Sequence, residues 1–582
     1  MAFSKDGAIE TAILNGYADW PRADTKGKEF TYGTAGFRMR ADLLDFVMYT
    51  VGILASLRSR RLNSNTIGIM ITASHNPAAD NGVKLVDPMG EMLDQDWEFW
   101  ATGLANSKNG EELRNGYMHA VKDLKIEQTK EAKVIFARDT RPSGARLVKA
   151  LIAGLEATGT KYIDYGYATT PQLHYLVRAT NTQNQPIPYG EVSMEGYYKK
   201  TAEAFKLAMK YATPNGPVTV DCANGVGAPK LKELMKYLGS DILKINIVND
   251  QIENPDLLNE KCGADFVKTK QMAPPDFDGK RFERWASLDG DADRIVYYFH
   301  ADGNIFRLLD GDRIATLAAS FIGDLVRKSG LEEQIKLAVV QTAYANGAAT
   351  KYVEKVLNLK VETTATGVKH LHHVAARYDI GVYFEANGHG TVLFSARALK
   401  QIRKHEPQSP AQLEALDTLK ALTDLINQTV GDALSDLLLV EVVLAHKEWT
   451  VKEWLATYTD LPNKLAKVMV NDRSVYRTVQ GTAERRLESP PGIQEKIDDI
   501  VKKYKEGRCF VRGSGTEEAV RVYGEAAEVY DVEDMVGKVT ELISSQSSRD
   551  IEPYLSRREE RRVEETEMGL RREPRDPPFG NS

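Results

Sequence analysis

The chain has 582 residues, of which 42% are hydrophobic and 27% charged, and its formal net charge is −6. That composition excludes a fibrous or mostly disordered chain, and the length exceeds one hydrophobic core, so about three to five domains of roughly 100–200 residues are expected. A pI near 6.0 gives no electrostatic reason to expect nucleic acid, so any anionic ligand must be held by local cations.

Taken in chain order, the first informative stretch is ITASHNPAADNGVKLV, Ile71 to Val86. Pro77, Asn81 and Gly82 break regular structure between two apolar runs. Ser74 on this turn is either a serine that satisfies backbone amides or a nucleophile oriented by His75 and Asn76. Lys84 follows on the next apolar run. From Lys133, KVIFA reads as a buried strand, RDTRPSG as a turn, ARLVKALIAGLEATG as a helix and KYIDYGY as a returning strand. The rhythm recurs from Val218 (VTVD, CANGVGAP, KLKELMKYLG, DILKINIV) and from Lys336 (KLAVVQ, TAYANG, AATKYVEKVLN, LKVETT). Strands alternating with helices of this length indicate βαβ units and mainly parallel sheets, hence three related α/β domains.

Between the repeats lie the linker candidate Ala179–Gly190 and the stretch SLDGDADRIVYYF. Asp289, Asp291 and Asp293 alternate and therefore point the same way on an extended segment. Three like charges on one face call for a cation, and hard oxygen ligands favour Mg²⁺ or Ca²⁺; a solvated acidic turn is the alternative. Arg294 follows directly. HADGN from His300 marks a candidate boundary, and LLDGDR, with Asp310 and Asp312, reads as a structural turn. TATGVKHLHH places Lys369 beside His370, His372 and His373, which read as packing or surface histidines, with Lys369 the better anion contact. GVYFEANGHGT sets Glu385, Asn387 and His389 among glycines, where carboxylate and amide suit sugar hydroxyls, or the loop simply caps a strand. RKHEPQSPAQ from Arg403 reads as a long surface loop. After about Thr457 a smaller α+β domain begins. In CFVRGSGTEEAVRVYGEA, Arg512, Gly513, Ser514, Gly515 and Thr516 form a loop between strands, with Arg521 on the second. This is equally a hairpin turn or a phosphate cradle built from backbone N–H groups, hydroxyls and guanidiniums.

The expected organisation is α/β domains at 1–185, 186–300 and 301–456, an α+β domain at 457–546, and a charged tail at 547–582, disordered or a solvated helix. Cys222, Cys262 and Cys509 form no CxxC pair, which suits a reducing, cytoplasmic setting. The start MAFSKDGAIE has no apolar signal core, and no run reaches about 18 apolar residues, so no membrane partner is expected. No obligate protein partner is inferred.

In order and spacing, GTAGFR, TASHNP, DGDADR, TGVKHLHH, FEANGHGT and RGSGTE resemble the α-D-phosphohexomutase superfamily, over the stretch from near the start to about residue 525. The resemblance implies four domains around a central cleft and a phosphoserine at Ser74. It implies Mg²⁺ held by Asp289, Asp291, Asp293 and the serine phosphate, with Arg294 and Arg38 near the reacting phosphoryl group, His75 beside the serine and Lys84 assisting proton transfer. Glu385 and Asn387 match the sugar loop, with His389 beside them, and Lys369 would approach the sugar phosphate. Arg512 to Thr516 with Arg521 would hold the phosphate that is not transferred. Glu-Ala-Asn in the sugar loop favours the N-acetylhexosamine branch, and thus interconversion of N-acetylglucosamine 6-phosphate and 1-phosphate through a sugar 1,6-bisphosphate. The alternatives are a glucose or mannose phosphomutase, a metal-dependent phosphatase, or a silent sugar-phosphate binder.

One position departs from the family pattern: Gly513 stands where proline is usual. Glycine leaves more freedom to lose on ordering, about 0.4–1 kcal/mol. Substrate is therefore expected to bind less tightly to this chain than to a Gly513→Pro variant, with the chemistry intact; equal KM values for the two proteins would contradict this.

Overall fold

In a computed structural model, whose described residues are 5–514 and 518–549, the expected rhythm becomes four β-sheets. Strands β1 (Phe37–Arg40), β2 (Thr66–Ile71), β3 (Asp80–Val86), β4 (Lys133–Arg138) and β5 (Lys161–Tyr167) lie in the order β1-β3-β2-β4-β5. A second sheet holds β6 (Val218–Asp221), β7 (Ile245–Val248), β8 (Trp285–Leu288), β9 (Ile295–His300) and β10 (Phe306–Leu309), in the order β10-β9-β8-β6-β7. The third contains β11 (Leu337–Thr342), β12 (Lys360–Thr364), β13 (Ile380–Phe384) and β14 (Gly390–Phe394), in the order β12-β11-β13-β14.

These sheets are mixed rather than mainly parallel, and the reason bears on function. In each, a parallel pair (β2 with β4, β8 with β6, β13 with β11) adjoins an antiparallel hairpin (β2–β3, β8–β9, β13–β14). A short connection can only reverse the chain, whereas parallel pairing needs a crossover of a dozen or more residues. The three hairpin loops are TASHNPAA, DGDADR and EANGH. Three of the four loops singled out in the sequence thus occupy the same place in three related sheets. Lys84 comes back to the serine loop because β3 runs antiparallel to β2, placing it opposite Met70.

Three details of the organisation differ from expectation. β10 pairs antiparallel with β9, so the turn after His300 lies inside the second unit and β10 does not open the third. The long loop expected from Arg403 shrinks to residues 405–409: the helix Ala396–Lys404 runs through Arg403, and Ser409 caps a new helix, Pro410–Leu425, with proline in its first turn, where no N–H is needed. The linker likewise starts later than Ala179, since the helix Thr170–Thr182 extends through it.

The second and third sheets share one continuous core with part of the first. Its centre is the helix Ala433–Lys447, buried along Ala433–Ala445. Glu441 on this helix meets Arg284 just before β8, with Nε to Oε1 at 3.0 Å and Nη2 to Oε2 at 2.8 Å, and it also accepts from the Tyr297 hydroxyl at 3.2 Å. The fourth sheet, β15 (Asn463–Met469), β16 (Arg508–Gly513) and β17 (Ala519–Glu525), is antiparallel in the order β15-β17-β16 and has its own core with the helices Ile493–Val501 and Val529–Arg549. It is latched to the third unit by Arg508, which donates to the Ala343 and Ala345 carbonyls at 2.8 and 2.6 Å, and by Glu525, which accepts from Gly347 N. Of the expected tail, residues from 550 onward lie outside the described ones. Among the described residues no helix is long and apolar enough to cross a membrane.

Removing one partner of a buried ion pair leaves the other charge uncompensated, at a cost of about 3–5 kcal/mol. Arg284→Met is therefore expected to lower unfolding stability in urea by about 3 kcal/mol or more; a loss below about 1 kcal/mol would contradict the inter-unit role given to this pair.

Candidate active site

Ser74 sits on the β2–β3 loop with φ +53° and no solvent exposure. A left-handed backbone costs a non-glycine residue about 1–3 kcal/mol unless its surroundings impose it. Here they do. Thr72 Oγ1 accepts from Ser74 N at 2.8 Å and donates to Asp139 at 2.7 Å. The buried Arg141 guanidinium donates to the carbonyls of Ser74 and Asn76, both at 2.8 Å, and to those of Pro77 at 2.5 Å and Asp80 at 2.9 Å. Its Nε is held by Asp139 at 3.0 Å. From the second unit, Asn259 donates to the same Ser74 and Asn76 carbonyls at 3.0 and 3.2 Å. A Cβ at Gly290 would lie 2.6 Å from the Ser74 carbonyl, so only glycine admits the two loops this close. The serine faces the second unit across this seam and not the open cleft.

The Ser74 hydroxyl donates to Asp289 Oδ2 at 2.6 Å. Asp289 Oδ1 accepts from the backbone N–H groups of Asp293 and Arg294 at 3.1 and 3.2 Å. Asp291 Oδ2 accepts from the Thr170 hydroxyl at 2.6 Å, and Lys84 Nζ reaches Asp293 Oδ2 at 3.2 Å and Asp291 Oδ2 at 3.5 Å. All three carboxylates are buried, and each offers an oxygen within 4.8 Å of the others. Burial, then repulsion from Asp293 and Asp291, pushes the Asp289 carboxyl well above the ordinary range. Burial would raise Asp293 too, but Lys84 and His389 outweigh it and hold it well below. Asp291 Oδ1 and Asp293 Oδ1 are buried without a hydrogen-bond partner. Two orphaned hard oxygens beside a third carboxylate and a serine hydroxyl fit a divalent cation such as Mg²⁺, which would also relieve the repulsion.

The cleft beside this triad is lined by Arg38, Lys84, Asp293, Arg294, Glu385 and His389, among others. Arg38 is lowered by burial and by the neighbouring Arg294, and its Nε is buried without a partner. Two adjacent guanidiniums with donors to spare are the signature of an oxyanion site. Burial, Arg294 and Arg38 hold the His75 imidazole down at about 2, so it is neutral, and its Nδ1 lies 3.5 Å from the serine oxygen. The acceptor of the serine proton in this geometry is Asp289.

The other expected site residues divide. Glu385 faces the cleft. Asn387 is occupied in holding the hairpin, accepting from His389 N at 3.0 Å, and His389 turns its Nδ1 to Asp293 at 3.4 Å rather than to a sugar position. Lys369 is buried, ion-paired to Glu98 and donates to the Leu93 carbonyl at 2.8 Å, tying the third unit to the first. Among the described residues its histidine neighbours gather no metal set, and His372 meets the Tyr383 hydroxyl at 3.1 Å. Asp310 caps the helix Gly311–Lys328, as the turn reading expects. In the fourth unit, Arg512 and Arg521 lie directly opposite on β16 and β17, and Lys467 on β15 continues the row. Like charges in register destabilise a sheet unless countercharges offset them, and Arg512 is ion-paired to Glu484 at 3.3 Å. Arg512 Nε donates to the Tyr344 hydroxyl at 2.9 Å. Ser514 N closes the hairpin on Ala519 O at 2.8 Å; Gly515 and Thr516 lie outside the described residues. A Cβ at Gly513 would stand 3.2 Å from the Arg473 carbonyl, so a proline there needs that loop to yield slightly, which offsets part of the gain expected from stiffening.

Domain-family comparisons match four successive segments of the chain. Residues 310–449 match "Phosphoacetylglucosamine mutase AMG1, domain III", and 192–296 match domain II of the same enzyme. Residues 43–110 and 105–185 match the phosphoglucomutase/phosphomannomutase α/β/α domain I, and 465–542 match the C-terminal domain of that family. The phosphoacetylglucosamine mutase of Candida albicans is 48% identical over 533 residues, covering 89% of this chain and 97% of that relative. The chain belongs to the phosphoacetylglucosamine mutase family. It is an isomerase of phosphosugars. The Aspergillus fumigatus N-acetylphosphoglucosamine mutase, solved with GlcNAc-6P and magnesium, superposes with a TM-score of 0.90 at 57% identity, covering 93% of this chain and 99% of that one. A serine-to-alanine variant of the Aspergillus enzyme, solved with glucose 1,6-bisphosphate, superposes with a TM-score of 0.88, also at 57% identity, covering 94% of this chain and 100% of that one. Within this phosphoacetylglucosamine mutase, the residue that sequence reasoning missed is Arg141. Its only signal was an arginine in the turn RDTRPSG directly after a buried strand.

Charge-assisted hydrogen bonds contribute about 1.5–3 kcal/mol each. Arg141→Met is expected to lower kcat by roughly 10–100-fold while the KM for sugar phosphate changes little; steady-state kinetics showing full turnover would contradict the positioning role.

Proposed function

We propose that the enzyme interconverts N-acetylglucosamine 6-phosphate and 1-phosphate through a phosphoserine at Ser74. Phospho-Ser74 gives its phosphoryl group to the C1 hydroxyl of the 6-phosphate: the serine O–P bond breaks, a bond between phosphorus and the C1 oxygen forms, and the hydroxyl proton is relayed, with Lys84 assisting, to the departing serine oxygen. The 1,6-bisphosphate turns over in the cleft and returns its other phosphate to Ser74, releasing the 1-phosphate that feeds UDP-N-acetylglucosamine synthesis. The single observation that carries this reading is the 2.6 Å contact between the Ser74 hydroxyl and Asp289, in a triad with two orphaned oxygens.

Asp289, Asp291, Asp293 and the serine phosphate would hold Mg²⁺, which supplies charge neutralisation at the transferring group. The magnesium and sugar phosphate bound by the Aspergillus relative support that assignment. Arg38 and Arg294 neutralise the phosphoryl oxygens, Glu385 accepts from sugar hydroxyls, and Asn387 keeps its loop in shape. Arg512, Arg521 and the loop through Ser514 to Thr516 grip the distal phosphate. The fourth unit, latched to the third by Arg508 and Glu525 among other contacts, closes over substrate and excludes water, which protects the phosphoserine from hydrolysis. Three free, buried cysteines agree with a reducing, cytoplasmic setting.

Two measurements test this. Intact-mass analysis after incubation with glucose 1,6-bisphosphate is expected to show one added phosphate on Ser74, and Ser74→Ala to lose isomerisation by roughly 10³-fold or more. Unchanged isomerisation by Ser74→Ala would remove the proposal. Chelation of divalent cations is expected to abolish turnover and added Mg²⁺ to restore it; turnover that survives chelation would contradict the metal assignment.

A further inference from the structure

Away from the cleft, a cavity of about 520 Å³ opens where the helices Thr170–Thr182, Met194–Ala208 and Ala396–Lys404 meet the linker that carries Tyr189. It shares no lining residue with the cleft. Its walls bring five cations, Arg178, Lys200, Lys400, Arg403 and Lys404, around one carboxylate, Asp424. Among the described residues none of the five is ion-paired.

Basic residues in the last turn of a helix offset its dipole, which accounts for Arg403 and Lys404. Arg178 and Lys200 need another reason. The Arg178 Nε is buried without a hydrogen-bond partner, and its guanidinium carbon lies 4.2 Å from the centroid of the Tyr189 ring. Lys200 Nζ lies 3.7 Å from the same centroid and donates to the Tyr189 carbonyl at 2.6 Å. Burial pushes the Lys200 ammonium down to about 8. Two cations thus share one aromatic ring at the cavity wall, while three more stand exposed at its rim. Unpaired cations in a recess repel one another and concentrate anions. A phosphate supplies acceptor oxygens for the Arg178 guanidinium, whose Nε has no hydrogen-bond partner, and for the rim cations. Five cations around one carboxylate leave a surplus of about four positive charges, more than one phosphate of about −2 balances, and the volume is that of an ordinary small-molecule site.

We propose that this cavity is a second ligand site, for a small anion carrying two or more phosphate groups. It is independent of the reaction assigned to the cleft. Calorimetric titration of the full chain with inorganic pyrophosphate, in chelator and without divalent cations, tests it. Wild-type protein is expected to show two classes of site. Lys400→Glu combined with Arg403→Glu, both at exposed positions, weakens one class by about tenfold or more and leaves the KM for sugar phosphate unchanged. Arg178→Met weakens the same class from the buried wall. Arg521→Ala weakens the other class, which belongs to the cleft. A single class that is lost with Arg521→Ala and kept in the charge-reversed protein overturns the proposal, as does equal binding by wild-type and charge-reversed proteins.

Discussion

Three buried carboxylates within reach of one another are the constraint from which the rest of this structure follows. Left alone they repel, and burial strips them of the water that would screen the repulsion. The protein meets them with Lys84 on one side, the Arg294 and Arg38 guanidiniums near the other, and the Ser74 hydroxyl at 2.6 Å from Asp289. Asp291 Oδ1 and Asp293 Oδ1 remain without a hydrogen-bond partner, the latter with only the longer ion-pair contacts of His389 and Arg294. The centre is therefore complete only with a cation and, against the arginines, an anion. That requirement is met by the chemistry of moving a phosphoryl group.

The serine and the carboxylates belong to different sheets, so the site depends on how closely two hairpin loops approach. Gly290 permits the approach, Asn259 clasps the serine loop from the far side, and Arg141 braces it from behind. The strained backbone at Ser74 is the consequence: the hydroxyl is aimed by Thr72 close by in sequence and by a framework of carbonyl contacts from Arg141 and Asn259. His75, neutral and 3.5 Å away, contributes less than its adjacency suggests. The same economy recurs in the third sheet, whose hairpin presents Glu385 to the cleft from the corresponding position.

Much of this was legible in the sequence because local chemistry and local structure coincide there. Alternating aspartates, a serine among helix breakers and glycine-flanked turns each carry their meaning within a few residues, and the βαβ rhythm marks three related sheets. What escaped depends on contacts between distant segments. Arg141 meets four carbonyls of a loop more than sixty positions earlier. Lys369 finds Glu98 across 271 positions, a strut between units that its local motif does not announce. The antiparallel hairpins in otherwise parallel sheets, β10 joining the second sheet, and the core shared around Ala433–Lys447 are decided by tertiary packing, to which periodicity is blind.

The central claim is that serine and carboxylates act as one cation site whose affinity depends on the phosphate the serine carries. Calorimetric titration of Mg²⁺ into the dephosphorylated and phosphorylated forms of the full chain tests it most directly. The account predicts that phosphate on Ser74 tightens binding by about tenfold or more; identical affinities in the two forms would contradict it.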